Sequence, residues 1–337
     1  MRKILKEAGS GCPGSGHFPF FVLDMSNYFL KRLFPALLCS VFFAAAALHG
    51  EESKAQNVGV LLSRDIRPYI EALEGLSSVL EKGAGAKVQA FSLEKFKDRG
   101  RDVLVENLAG ETFDLFIAVG PEAVRFVSQE IAPGGTPWMY SMVLNPPRVS
   151  GQAETACGIA LDIPAPRQLE MISRGLKDVK RLGILYDPRY NAEFFLKAST
   201  AAASFNLKIV PLEIFSKKDI PAALKQNWEN IDALWLIPDQ TAVSESIVQY
   251  IIKEALFKKT PVIGYNRFFY ESGAALAFVF SYEELGRQIG RLAAAVLSGK
   301  ACEKEPPGFR VWLNVRVLNK LGISLPERET PPIEAGP

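Results

Sequence analysis

Five short polar clusters stand directly behind apolar runs, and their residue types limit what this chain can do. Ser63-Arg64-Asp65 follows a run from Val58, Gly120-Pro121-Glu122 follows Leu115 to Val119, and Asn145 follows a run from Pro137. Farther on, Asp187, Tyr190 and Asn191 follow Leu182 to Tyr186, and Asp239-Gln240-Thr241 follows Ala233 to Ile237. Asp187 and Asp239 facing each other across a cleft could do general acid–base work. Alternatively, Asp239 could pair with a ligand ammonium while Tyr190, Phe268, Phe269 and Tyr270 supply an apolar or stacking wall. Each cluster also has a plainer use: Asp187-Pro188 and Pro238-Asp239 are good turn formers, Phe268 and Phe269 suit a core, and Arg64 and Glu122 suit a solvated surface. Both histidines, His17 and His49, precede the first of these runs, which removes the usual base of Ser-His-Asp and Cys-His chemistry and the commonest zinc ligand. No cofactor or metal is expected, no ATP-binding P-loop is present, and the chain is read as a non-enzyme that binds.

Elements that alternate along the chain must position these clusters. Strands are expected at Asn57 to Ser63, Lys87 to Leu93, Leu115 to Val119 and Pro137 to Leu144, with helices at Pro68 to Lys82, Arg101 to Leu108 and Glu122 to Gln129. The order then repeats: helices at Ala165 to Gly175, Ala192 to Phe205, Ile220 to Asn227 and Ser244 to Phe257, and strands at Leu182 to Tyr186, Lys208 to Ile214, Ala233 to Ile237 and Pro261 to Gly264. A strand at Ala275 to Phe280 precedes a helix that Ser281 caps and Glu284 completes as a capping box; a last strand is expected at Arg310 to Asn314. Continuous apolar strands alternating with helices mean parallel sheets covered by helices. Asp114-Leu-Phe-Ile-Ala-Val returns as Asp232-Ala-Leu-Trp-Leu-Ile, and Val58-Gly-Val-Leu-Leu as Leu182-Gly-Ile-Leu-Tyr, so one unit is used twice and a cleft lies between two similar α/β lobes. Ligands of such sheets sit beyond the carboxyl ends of the strands, where helix starts offer N–H groups to a ligand carboxylate.

Lys31-Arg32 precedes an apolar stretch from Leu33 to Leu48 that ends in small residues, the order of a secretory signal; a membrane anchor would need a longer run. Residues 1–24 lie upstream of Met25 and are either a mis-assigned start or an extension. An exported, periplasmic protein without a membrane span is expected. Lys plus Arg number 39 against 37 Asp plus Glu, so no basic surface invites nucleic acid. Cys157 and Cys302 remain beyond the signal, as two separate thiols or as one bridge.

Gly158-Ile-Ala-Leu-Asp-Ile-Pro with Gln168-Leu-Glu-Met-Ile, then Arg181-Leu-Gly-Ile-Leu-Tyr-Asp-Pro, Gly273-Ala-Ala-Leu-Ala, Tyr282-Glu-Glu-Leu-Gly-Arg-Gln-Ile-Gly and Leu318-Asn-Lys-Leu-Gly-Ile stand in a specific order. In these the chain, from about Val58 to Pro326, resembles substrate-binding proteins of ABC transporters, in the family that includes tryptophan and tyrosine binders, with a type I periplasmic-binding fold. The resemblance implies two lobes joined by three crossings, near Gly158 to Pro164, Ala277 to Tyr282 and Cys302 to Arg310. Lobe one would hold residues 55–160 and 278–300, lobe two 161–277 and 303–326, with residues 1–50 as extension and signal and 327–337 as a loose tail. Both cysteines would then sit beside crossings, which favours a bridge. The implied function is capture of a small molecule, such as an amino acid or related metabolite, by hinge closure in a monomer, and delivery to an ABC permease. The alternatives are a ligand sensor for a membrane signalling receptor, or an enzyme using Asp187 and Asp239. Gly120-Pro121-Glu122 and Leu144-Asn145-Pro146 stand where relatives carry Gly-Thr-Pro and Thr-Asp-Pro tips, so tryptophan or tyrosine is not carried over as the ligand.

Overall fold

The computed structural model describes residues 55–97, 100–151, 157–242, 244–325 and 332–337, all within one compact unit, Ala55–Pro337. The expected extension and secretory signal lie outside the described residues. In lobe one, β1 (Asn57–Leu62), β2 (Lys87–Ser92), β3 (Leu115–Val119), β4 (Trp138–Ser141) and β5 (Cys157–Ile159) form a parallel sheet in the order β2-β1-β3-β4-β5. Successive side chains of a strand point to opposite faces, so a run apolar at every position must be covered on both. Val58, Val60 and Leu62 pack with Leu76 and Leu80 of α1 (Arg67–Ala84), while Leu61, Phe116 and Ala118 pack with Leu104 of α2 (Arg101–Ala109) and Val124 of α3 (Pro121–Phe126). Full burial of each such aliphatic side chain contributes about 1.5–3 kcal/mol.

Lobe two repeats the plan with β6 (Arg181–Tyr186), β7 (Lys208–Glu213), β8 (Ala233–Leu236), β9 (Val262–Gly264) and β10 (Leu276–Val279), followed by β11 (Arg310–Leu313) and β12 (Ile333–Ala335). Their order is β12-β11-β10-β9-β8-β6-β7. On one face lie α5 (Ala165–Gly175) and α6 (Pro188–Ala202), and on the other α7 (Ile220–Asn227) and α8 (Glu245–Phe257). The sheet is not wholly parallel: β11 runs antiparallel to β10, because the chain re-enters lobe two from lobe one before making it.

Short helices extend the expected pattern: α4 (Pro146–Ser150), α9 (Arg267–Glu271) and α11 (Val315–Leu321). The strand expected through Leu144 stops at Ser141, since Met142 adopts φ 58° and turns the chain. The helix expected from Ala192 begins at Pro188, capped by Asp187, and is non-helical at Asn191, where two segments meet. Only half of the capping box forms on α10 (Tyr282–Leu297): Ser281 accepts from the Glu284 N–H, but the Glu284 carboxylate instead pairs with Arg287 and Arg291. The tail expected to be loose carries β12, paired in parallel with β11, and Glu334 accepts from the Trp312 indole at 2.9 Å.

Although α10 follows a strand of lobe two, it packs in lobe one along α1 with backbone contact. A Cβ on Gly75 would meet the Glu283 carbonyl oxygen at 2.0 Å, and one on Gly286 the Ala72 carbonyl oxygen at 2.0 Å. The chain therefore passes between lobes after β5, between β10 and α10, and between α10 and β11. A disulfide joins Cys157 to Cys302 with Cα atoms 6.0 Å apart, at the lobe-one roots of the first and third passages.

Candidate functional site

The lobe-one clusters are held mostly by their own lobe. Ser63 is buried, and its Oγ accepts from the Ala123 N–H at 2.8 Å, tying the end of β1 to the first turn of α3. Gly120, at φ 90°, is the residue this arrangement requires: a Cβ there would lie 2.6 Å from Ser63 Oγ and 2.7 Å from the Tyr69 ring. Pro121 opens α3 and Glu122 is exposed beside it. Asp65 faces solvent and reaches Lys95 at 3.6 Å. Burial foremost, with the Glu122 charge, raises the Tyr69 hydroxyl above its ordinary range, while Arg64 opposes the shift. Asn145, in the left-handed region at φ 46°, caps α4 and donates its N–H to Asp162 Oδ2 at 2.7 Å.

In lobe two the carboxylates form a closed brace. Asp187, fully buried, accepts from the Arg189 N–H at 3.0 Å, Arg189 Nε at 2.9 Å and Thr241 Oγ1 at 2.7 Å. The Arg189 hydrogen bond foremost, helped by Thr241, holds its carboxyl down to about 2. Asp239 Oδ2 accepts from the Asp187 N–H at 2.8 Å and Asn191 Nδ2 at 2.7 Å, and its Oδ1 from the Thr241 N–H at 2.8 Å. The two acids thus fix the ends of β6 and β8 to one another. Gln240 is exposed, and Tyr190 lies under the Arg148 guanidinium of lobe one, 4.7 Å from the ring centroid. Phe268 and Phe269 pack edge-on to each other against the lobe-two core, and Tyr270 donates its hydroxyl to the Pro337 carbonyl; none of the three forms the expected wall.

The cavity lies deeper, where the crossings meet, with a volume of about 210 Å³. Lobe one and the crossings line it with Leu144, Leu161, Asp162, Ile163, Phe280 and Tyr282, and lobe two with Gln168, Asn191, Phe194, Ile237, Pro238, Tyr265 and Asn266. Of the candidate ligand contacts named from sequence, Asn191 is the one brought here; Leu144, Asp162, Gln168 and Tyr282 stood only in the motifs that carried the family resemblance or departed from it. Leu161 packs on the lobe-one core, Ile163 on the lobe-two core, and Asp162 stands between them; Phe280 packs against both cores. Asp162 is accessible through the cleft mouth, yet protein on both sides desolvates it and raises its carboxyl above the usual range, opposed by the Asn145 N–H. Burial, with the Asp239 charge behind it, pushes the Tyr265 hydroxyl up to about 12, so it stays a neutral donor. Burial foremost also raises Tyr282, with Glu71 adding to it and Arg267 opposing. A mostly apolar hollow with few converging polar groups suits a small organic molecule. Asp162 carried one usable signal in the sequence, an acid enclosed by Leu161 and Ile163 in a connecting segment; Tyr282 was marked only as the opening of a motif shared with the family, and Tyr265, which merely follows a strand, carried none.

No group of three or more potential metal ligands occurs among the described residues, and no helix among them is long and apolar enough to cross a membrane. The model of the ABC transporter substrate-binding protein family matches residues 143–330. No curated protein matches the chain. Among solved structures, a substrate binding protein with adhesive properties from Clostridium difficile, in its ligand-free, open form, is 20% identical with a TM-score of 0.67, over 83% of this chain and 99% of that one. An ABC domain in complex with L-Trp from Streptococcus pneumonia is 18% identical with a TM-score of 0.55, over 80% and 96% of the two chains. Both share the two-lobed type I periplasmic-binding architecture.

Proposed function

We infer the function from family and cavity together: the chain belongs to the ABC transporter substrate-binding proteins, whose model matches more than half of it. It captures a small molecule between its lobes and delivers it to an ABC permease. The observation that carries this reading is the placement of the cavity on the crossings themselves, with Phe280 packed on both cores and Leu161 and Ile163 anchored one in each. A ligand there touches both lobes and the segments that bend, so contacts made only in the closed form shift the population toward it. The reading is one of binding and release, not turnover, because the carboxylates considered for acid–base work, Asp187 and Asp239, serve to brace lobe two.

Capture takes place outside the cytoplasmic membrane. The Cys157–Cys302 disulfide supports this, since such bonds persist in oxidising compartments. A thermal-shift screen of the purified protein against small metabolites tests the reading. A ligand at 100 times its Kd adds about 2.7 kcal/mol of stability. The expected result is a hit that Tyr282→Ala abolishes and that reduces the radius of gyration in solution scattering. A broad library without a hit overturns the proposal.

A further inference from the structure

The cavity's own chemistry narrows what it can hold, on the binding role just argued. One lining residue, Asp162, is formally charged, and none is Lys or Arg. The amides add both acceptors and donors. Asn191 engages both Nδ2 hydrogens, with Asp239 at 2.7 Å and Pro238 at 3.3 Å, and leaves its carbonyl oxygen, while Gln168 gives one Nε2 hydrogen to the Ile163 carbonyl at 2.7 Å and leaves its carbonyl oxygen and the second hydrogen. Asp162 takes the Asn145 N–H on Oδ2 and leaves Oδ1. Asn266 runs the other way: its Oδ1 accepts from the Phe269 N–H, which leaves its amide N–H groups. Two nearby cations are engaged outside the cavity, Arg189 with Asp187 and Arg148 on the Tyr190 ring.

An ammonium brings three donors and a positive charge to such a set, and aromatic faces attract it further. A ligand carboxylate would find neutral donors in Asn266, Gln168 and the Tyr265 hydroxyl, but no cation to balance its charge and one acid to repel it. We propose that the cavity selects a small organic amine held as its cation, with the ammonium on Asp162 and an apolar body of one or two rings against Phe194, Phe280 and Tyr282, and that a carboxylate on the same ligand weakens binding.

Calorimetric titration of the purified protein with 2-phenylethylamine, tryptamine, L-phenylalanine, L-tryptophan, 3-phenylpropionate and 2-phenylethanol tests this, alongside Asp162→Asn. The variant keeps an oxygen for the Asn145 N–H, and unchanged binding of 2-phenylethanol shows that its cavity is intact. The proposal expects the amines to bind about tenfold or more tightly than the matching amino acids, no binding of the acid, and a loss of about tenfold or more in amine affinity with Asp162→Asn. Amino acids binding as tightly as the amines, or an Asp162→Asn variant with undiminished amine affinity, overturns amine selection and leaves capture in the cleft standing. So does a metabolite screen whose hits are acids, zwitterions or neutral molecules. Silence of all six probes and of that screen overturns both readings.

Discussion

Asp187 carries a measurable pH signature. Its carboxyl is held at about 2 against an ordinary value near 3.8, so between those values the unfolded chain binds the extra proton. The stability it contributes is present above the ordinary value and lost as pH falls through the folded one. Melting temperature recorded against pH is expected to fall across that acid window, and Asp187→Asn to flatten that part of the curve. Asp239→Ala is expected to cost about 3 kcal/mol or more in urea unfolding, because it leaves the buried Asp187 N–H and the Thr241 N–H without acceptors and the Asn191 amide with only the Pro238 carbonyl. At this scale the sequence marked the polar clusters as strand ends, which holds for all but Asn145, since β4 stops at Ser141 and Asn145 caps α4; it did not mark what they face. A strand-end carboxylate has the same local signature whether it meets a ligand or its neighbour's N–H. Asp162, Tyr265 and Tyr282 become cavity residues only when two lobes and three crossings converge, which no local spacing encodes.

The elements were largely legible because the central strands, such as β3, β8 and β10, are apolar at successive positions and the long helices α1, α5 and α10 each show one apolar stripe. The helices that escaped, α4, α9 and α11, are five to seven residues each and too short to display a period; Pro146-Pro147 reads as a turn, and Asn266 and Asn314 act as caps that nothing nearby announces. The α1–α10 pair depends on small residues as well as on the stripe. Gly286→Ala is expected to destabilise by about 1–3 kcal/mol or more, since the added methyl meets the Ala72 carbonyl at 2.0 Å and the helices must part. Gly83→Ala, in the last turn of α1 with nothing within 4 Å, is the matched control and is expected to stabilise by up to about 1 kcal/mol. Equal effects of the two in denaturant titrations would refute the close-packing account.

For the whole molecule, two repeated lobes followed from the recurring strand pattern, while the return of α10 to lobe one and of β11 to lobe two followed only from the family resemblance. The disulfide could not be read from a separation of 145 residues, since proximity across the fold is a tertiary fact. Replacing both cysteines by serine is expected to cost about 2–4 kcal/mol of stability, read as a lower urea midpoint that reductant reproduces in the unaltered protein. The bond also bears on how the lobes can move. It roots the first and third crossings at one covalent point, with Cα atoms 6.0 Å apart, so those two segments cannot slide past one another along their lengths. Both roots belong to lobe one, so the bond fixes where the two crossings leave that lobe and places no direct tie on their lobe-two ends. The cross-link thus acts as a common anchor, holding two of the three connections at one fixed spacing where they leave lobe one.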